Sequence, residues 1–366
     1  MNNSQYRKIF IIVFATLLMA AAGWLLVKPL IERLQEASLT PADVAYLSPV
    51  NSPEIWLWRA AHGEAVPITQ TQGRVFDFDV SPDGRFIVFS QTNEQGGRDL
   101  MRVQIVTRAE SRLLACGQSL CFQPAISPDG KQVAYTVIDP QADAQAKAVQ
   151  RVFVLDLAGR SQRALYEDET ISASQPAWSP QGDRLAVVDE ANREIRVISL
   201  STGDTMTIPT QVSEMGAFSP DGAQMMFLNA QMTGIQSFQG VYLADFTDQQ
   251  IRAVIAPYQS EVDFGVPAWS AANQKIAVNW RKMIGLGRGT EQISIFEADG
   301  SGEQVITTDQ NFTHGAYSWS PDGSRLLYQQ FEVGKTGAQP EVAIWEMATG
   351  EHKVIAQNAF FPRWVP

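Results

Sequence analysis

Few residues in this chain could do chemistry, and their spacing narrows what that chemistry is. There are three histidines, His62, His314 and His352, and two cysteines, Cys116 and Cys121, in 366 residues. A zinc site needs four donors, and a hydrolytic triad needs a nucleophile, a base and an orienting acid. The histidines are too scattered to supply either without partners from other segments, and no G-x-S-x-G nucleophile elbow occurs. No metal site, cofactor or catalytic residue is therefore expected. His62 and His352 read as surface residues at turns. His314, in QNFTHGAY, leads into a strand near the centre of the fold. The cysteines, in ACGQSLCF, leave three readings open: a short disulfide loop, half of a metal site, or two free thiols. The disulfide is favoured in an oxidising compartment.

One basic stretch stands out on an acidic chain. NWRKMIGLGRGT (279–290) carries Trp280, Arg281, Lys282 and Arg288. GLGRGT is no phosphate loop, because a strand follows it where a helix is required. A basic, partly apolar finger suits an acidic peptide, an anionic glycan or lipid head groups. The acids of YEDET (166–170) and of SEVDFG, Asp263 among them, are expected to face it across a central axis. With His314, these residues form the candidate binding set.

The elements that would position these groups are repeated. DVSPDGRFIVFS, AISPDGKQVAYT, AWSPQGDRLAVV, AFSPDGAQMMFL, AWSAANQKIAVN and SWSPDGSRLLYQ align without gaps, with their serines 40 to 52 residues apart. In Ser-Pro-Asp-Gly, Pro presets φ, Asp83, Asp129, Asp221 or Asp322 bonds its own backbone, and Gly accepts a positive φ. Period-2 apolar residues flank each turn, so each unit opens with a β-hairpin. Two further strands follow in every unit, for example VFVLDL and RALY. The loops between second and third strands read as long, Gln- and Gly-rich contact loops.

The two ends complete one another. Residues 43–70 hold three strands of a unit, and FPRWVP (361–366) holds the missing first strand, with Trp364 in the position of Trp178, Trp269 and Trp319. The expected fold is all-β: a seven-bladed propeller of four-stranded blades, its closing blade built from 43–70 plus 359–366.

Ahead of it, residues 9–27 run nineteen positions without a charge, after Arg7 and Lys8. That length nearly spans a hydrocarbon core of about 30 Å, and the preceding bases favour an N-inside orientation. The expected order is a short tail (1–8), a transmembrane signal anchor (9–27), a juxtamembrane helix or linker (28–42) and an extracytoplasmic propeller (43–366). A cleaved signal peptide ending near AAAG is the alternative, giving a secreted or periplasmic protein. The net charge of −11 argues against nucleic acid as a partner.

The (A/S)WSPDG pattern over residues 43–366 resembles the propeller repeats of TolB and its relatives. It is also similar to repeats of propeller-bearing peptidases and of oligogalacturonate lyase. The resemblance implies extracytoplasmic scaffolding, in which short segments of partner proteins enter the mouth of the central channel. TolB itself carries an α/β domain before six blades, a departure from the anchor and seven blades expected here. The functional expectation is a membrane-anchored interaction scaffold or assembly factor. The alternative is a carbohydrate-binding protein, or a polysaccharide lyase or hydrolase, working at the channel.

Overall fold

The computed structural model describes residues 43–140, 149–168, 171–233, 236–256, 262–284 and 287–366. Thr40–Pro366 forms one compact unit. The expected tail, anchor and linker (1–42) lie outside the described residues, among which no helix is long and apolar enough to cross a membrane.

The architecture is an all-β propeller, and its turns show why the sequence folds this way. Ser81 donates its hydroxyl to Asp83 Oδ1 at 2.7 Å and accepts the backbone N–H of Phe86 at 3.0 Å. Ser127–Asp129, Ser219–Asp221 and Ser320–Asp322 repeat the pair at 2.7, 2.6 and 2.5 Å. Gln181 replaces the aspartate in SPQGD, and Ser179 turns instead to Asp183 at 2.7 Å. The glycine closing each turn needs a left-handed conformation, as at Gly84 with φ of 64°. The serine hydroxyls donate first among the groups holding the Asp129, Asp221 and Asp322 carboxyls below their ordinary range. These aspartates are turn braces.

The first strand of a unit lies at an edge of its sheet, except Leu120–Ile126, which is paired on both sides, and the first strands of neighbouring units pack beside one another. Several carry a β-bulge, with Gln123, Gln175, Ala316 and Phe361 at φ of 52°, 52°, 47° and 55°. Hydrogen bonds then stitch unit to unit. Trp178, Trp319 and Trp364 donate Nε1–H to the carbonyls of Ala125, Ala268 and Ser318 at 2.9, 3.1 and 3.0 Å. Trp269 Nε1 is buried with no such partner. A second series uses side-chain acceptors. Gln175 N–H donates to Gln123 Oε1 at 3.0 Å, and Met215 N–H to Gln175 Oε1 at 3.1 Å. The apolar core sits between sheets: Met226, Leu228 and Leu243 meet Ile276, Val278 and Phe296 of the next unit.

The first and last described strands share a sheet, in the order Glu64–Pro67, Glu54–Arg59, Asp43–Ser48, Phe360–Val365. Val44 lies opposite Trp364, which packs with Tyr46, Leu327 and Ile344.

Two expectations need correction. The described strands form six hydrogen-bonded sheets, not seven separate ones. The parallel pairing of Arg98 with Leu120 joins Val75–Val80 through Leu114 to Leu120–Ile126 through Ala164 in one eight-stranded sheet. The stretches at 229–239 and 279–290 are also not simple loops. Gln224–Thr233 pairs with Gln236–Asp245 along its whole length, and Lys275–Ile284 folds back on Gly287–Arg288. Unbroken cross-strand register carries these polar segments as strands, whatever their composition suggests.

Candidate functional site

Four of the six candidate binding residues come together. Asp263, Trp280, Arg281 and Arg288 line a cavity of about 540 Å³, with Glu214, Glu291 and Tyr317. Asp263 does not face Arg281 across the axis. It is the register partner of Arg281 within one sheet, as period-2 pairing places it. The Arg281 guanidinium bridges Asp263 at 3.1 Å and Glu291 at 3.0 Å, while Asp263 Oδ1 accepts the Gln239 N–H at 2.7 Å. The positive charge read as a free contact is therefore held internally, and Arg288 is the exposed cation of this cavity. Tyr166 of YEDET lies against Arg196, in a different sheet, and residues 169–170 lie outside the described set.

Lys282 is exposed on the same strand without lining the cavity. His314 is 4% exposed, with Nδ1 3.0 Å from the Glu291 carbonyl, an arrangement that assigns the proton to Nδ1. Burial pushes its pKa down, so the ring is neutral at neutral pH. His352 is exposed, as its sequence context led one to expect, but it is not remote from His314. Both neighbour Tyr328, whose hydroxyl meets His352 Nδ1 at 2.8 Å and whose ring centroid is 5.7 Å from that of His314. His62 is exposed.

Glu214 was not legible as a site residue. Burial first, and then the charge of Glu291, raise its pKa, against the attraction of Arg281. Asn279 lies in the cavity lining, its backbone N–H donating to the Tyr317 hydroxyl at 2.8 Å, while that hydroxyl donates to the Val266 carbonyl.

A second and larger cavity, of about 1190 Å³, is lined by first strands: Val75–Val80, Leu120–Ile126, Ser174–Trp178, Ala217–Phe218 and Phe360–Val365. Its lining is aromatic. Phe76, 47% exposed, sits edge-on to Phe122 at 6.4 Å, and Phe78 edge-on to Phe361 at 5.6 Å. Its charges are Asp77, Asp79 and Arg363. Counting back from the motif serine, the second position is Ala125, Ala177, Ala217, Ala268 or Ser318 in five units. Asp79 occupies it in the remaining serine motif, and Arg363 holds the corresponding place before Trp364. The gapless alignment contained that signal. Burial raises the carboxyl pKa of both Asp77 and Asp79, in spite of backbone N–H groups from Gln123 and Ile126 at 2.6 and 2.8 Å. Cys116 and Cys121 are joined as a disulfide.

Among the described residues no group of three or more His, Cys, Asp or Glu side chains could hold a metal ion.

Residues 109–328 match the family described as the TolB beta propeller domain. The uncharacterized peptidase YuxL of Bacillus subtilis is 25% identical over 175 residues, covering 47% of this chain and 24% of its own. A puromycin-hydrolyzing peptidase of Mycobacterium tuberculosis superposes with a TM-score of 0.63 at 16% identity, over 88% of this chain and 53% of that one. An oligogalacturonate lyase from Vibrio parahaemolyticus gives 0.60 at 11% identity, over 83% and 91%. This chain thus spans about a quarter of the curated peptidase and about half of the peptidase structure.

Proposed function

We propose, from the premise that the chain belongs to the TolB beta propeller domain family, that it is an interaction propeller whose axial cavity receives an extended segment of a partner protein. The observation carrying this reading is the cavity of about 1190 Å³, with rigid first strands as its wall and Phe76, Phe122 and Phe361 on its surface. Aromatic side chains supply large contact area at small entropic cost, which is what a peptide-holding wall requires. We read the ring as seven four-stranded units. The eight-stranded sheet consists of two antiparallel meanders that touch through one parallel pair, which supports counting it twice. We further propose that residues 9–27 tether the propeller to a membrane with its body outside the cytoplasm. The disulfide supports an oxidising surrounding.

The test is affinity capture of the full-length protein from its own membranes, followed by mass spectrometry. Phe122→Ala should release the partner, while Arg288→Ala, in the other cavity, should retain it. A partner unaffected by Phe122→Ala removes the axial cavity from this role.

A second reading rests on the smaller cavity. Trp280 offers a sugar-stacking ring, Arg288 a cation for a uronate, and Glu214 beside Glu291 an acid pair with one member's pKa raised. Calorimetric titration with an oligogalacturonate tests it. Heat lost in Arg288→Ala favours this reading, and no heat with the native protein removes it.

A further inference from the structure

Two glutamines line the axial cavity, and they differ in what their amides do. Gln175 has both ends engaged: Oε1 accepts the Met215 N–H at 3.1 Å and Nε2–H donates to the Ser213 carbonyl at 3.1 Å. Gln123 has one. Its Oε1 accepts the Gln175 N–H at 3.0 Å and the Thr136 hydroxyl at 2.9 Å. A backbone N–H requires an acceptor, so this contact fixes the orientation of the amide and makes Nε2 its other end. Among the described residues that Nε2 donates no hydrogen bond, and it is not one of the polar atoms sealed from solvent. The residue is otherwise held still. It sits at a bulge with φ of 52°, its own N–H bound by Asp77 Oδ2 at 2.6 Å.

The wall around this donor carries no charge free for a ligand. Asp79 and Arg363 oppose one another, while Asp77 is opposed by Arg98 and Arg363 and met by Ser90 across the hairpin. The Arg98 guanidinium is also stacked 3.4 Å above the Phe76 ring, and that of Arg363 lies 4.5 Å from the Phe361 ring. A charged group entering here would shed its water and find each counter-charge already taken. The surface beside these pairs is apolar, with Phe122, Ile126, Met215 and Phe218 in the lining.

We propose that Gln123 is the polar anchor of the axial cavity, its Nε2–H donating to a main-chain carbonyl of an uncharged, apolar segment of the partner protein whose side chains cover Phe76 and Phe122. The proposal rests on the interaction reading above and names the chemistry of the segment. With its N–H and Oε1 already held, the amide loses little freedom when the carbonyl arrives. Charges neutralised among themselves select against Lys, Arg, Asp and Glu at the contact.

The experiment selects phage-displayed random heptapeptides on the full-length protein, removes those that also bind Phe122→Ala, and measures synthetic versions of the survivors by fluorescence anisotropy. The expected survivors are uncharged and apolar. Gln123→Glu keeps an acceptor for the Gln175 N–H and the Thr136 hydroxyl but puts a carboxylate oxygen in place of the donor. It should weaken the survivors about tenfold, the scale of leaving one buried acceptor unpaired. Acidifying from about pH 7 to about pH 5 should narrow that difference, because a protonated carboxyl donates again, and circular dichroism checks that the variant is folded. On the native protein, hydrogen exchange in Val75–Val80 and Leu120–Ile126 should slow when a survivor is added. Charged survivors would overturn the neutral selection and leave the interaction reading standing. Uncharged survivors held as tightly by folded Gln123→Glu would overturn the anchor. Unchanged exchange in both strands would overturn the site. A selection from which nothing survives would overturn the peptide reading and this proposal with it.

Discussion

The indole staples permit a test in which the protein supplies its own control. Trp178, Trp319 and Trp364 each donate Nε1–H to a first-strand carbonyl of the preceding unit, whereas Trp269 Nε1 is buried with no acceptor. Replacing each by Phe removes a similar apolar volume, so the packing loss is common to all four. The polar part differs in sign. Losing a satisfied hydrogen bond costs about 1 kcal/mol, and removing an unsatisfied buried donor recovers about 1–3 kcal/mol of desolvation. Trp364→Phe should therefore be less stable than Trp269→Phe by about 2 kcal/mol, taking the lower end of that recovery. Equilibrium urea unfolding reads this as a lower midpoint at unchanged slope. Trp178→Phe and Trp319→Phe should fall with Trp364→Phe. A Trp269→Phe protein as destabilised as the other three would refute the argument that these indoles act through their N–H groups.

Three other outcomes follow from the described geometry. Burial raises the Asp77 and Asp79 pKa above the ordinary 3.8, so their contribution is fully present below that value and is lost as pH rises through the folded-state pKa; Asp77→Asn should therefore melt higher than the native protein at pH 7, with the difference vanishing near pH 3. Opening Cys116–Cys121 by Ser substitution at both positions should cost about 2 kcal/mol from loop entropy alone, read as a shift in urea midpoint that reductant abolishes. Gly265→Ala should cost roughly 1–3 kcal/mol, because a Cβ there would stand 1.7 Å from Asn279 Oδ1; adding Asn279→Ala should restore part of it, and a strictly additive double variant would count against the clash.

What could be read from the sequence was whatever is settled within a few residues. Ser81–Asp83 and its repeats were legible because turn chemistry is local, and Trp364 could be matched to Trp178 because each stands two residues before a proline. Partnerships set by strand register were not. Arg281 reads as a free cation until the pairing of Val262–Phe264 with Lys275–Ile284 brings Asp263 opposite it. The hairpin at Gln224–Thr233 was hidden by its glutamines and methionines, which resemble loop composition while Ala230 and Met232 keep register with Gln239 and Ser237. Asp77 and Asp79 escaped for another reason. Period-2 alternation marks their strand as half-buried but does not tell which face meets the core and which meets the axis.

The two sets of aspartates in this fold obey opposite logic, and the contrast bears on where function lies. Asp129, Asp221 and Asp322 stand at the surface with their charge satisfied by a serine hydroxyl and a backbone N–H, so ionisation favours the fold. Their recurrence is explained by the turn alone. Asp77 lies in the wall of a large cavity, its charge opposed by burial, in a role that Gln123 and Gln175 fill without charge elsewhere in the ring. A stability requirement would have placed an amide there too. Departures from the repeat that disfavour the folded state are where a repeat protein has yielded to something other than folding. By that criterion the junction of the closing sheet with the Val75–Val80 strand, where Arg363, Asp79 and Asp77 depart together, is a stronger candidate for partner contact than the basic hairpin. Arg281 of that hairpin is already occupied by its own sheet.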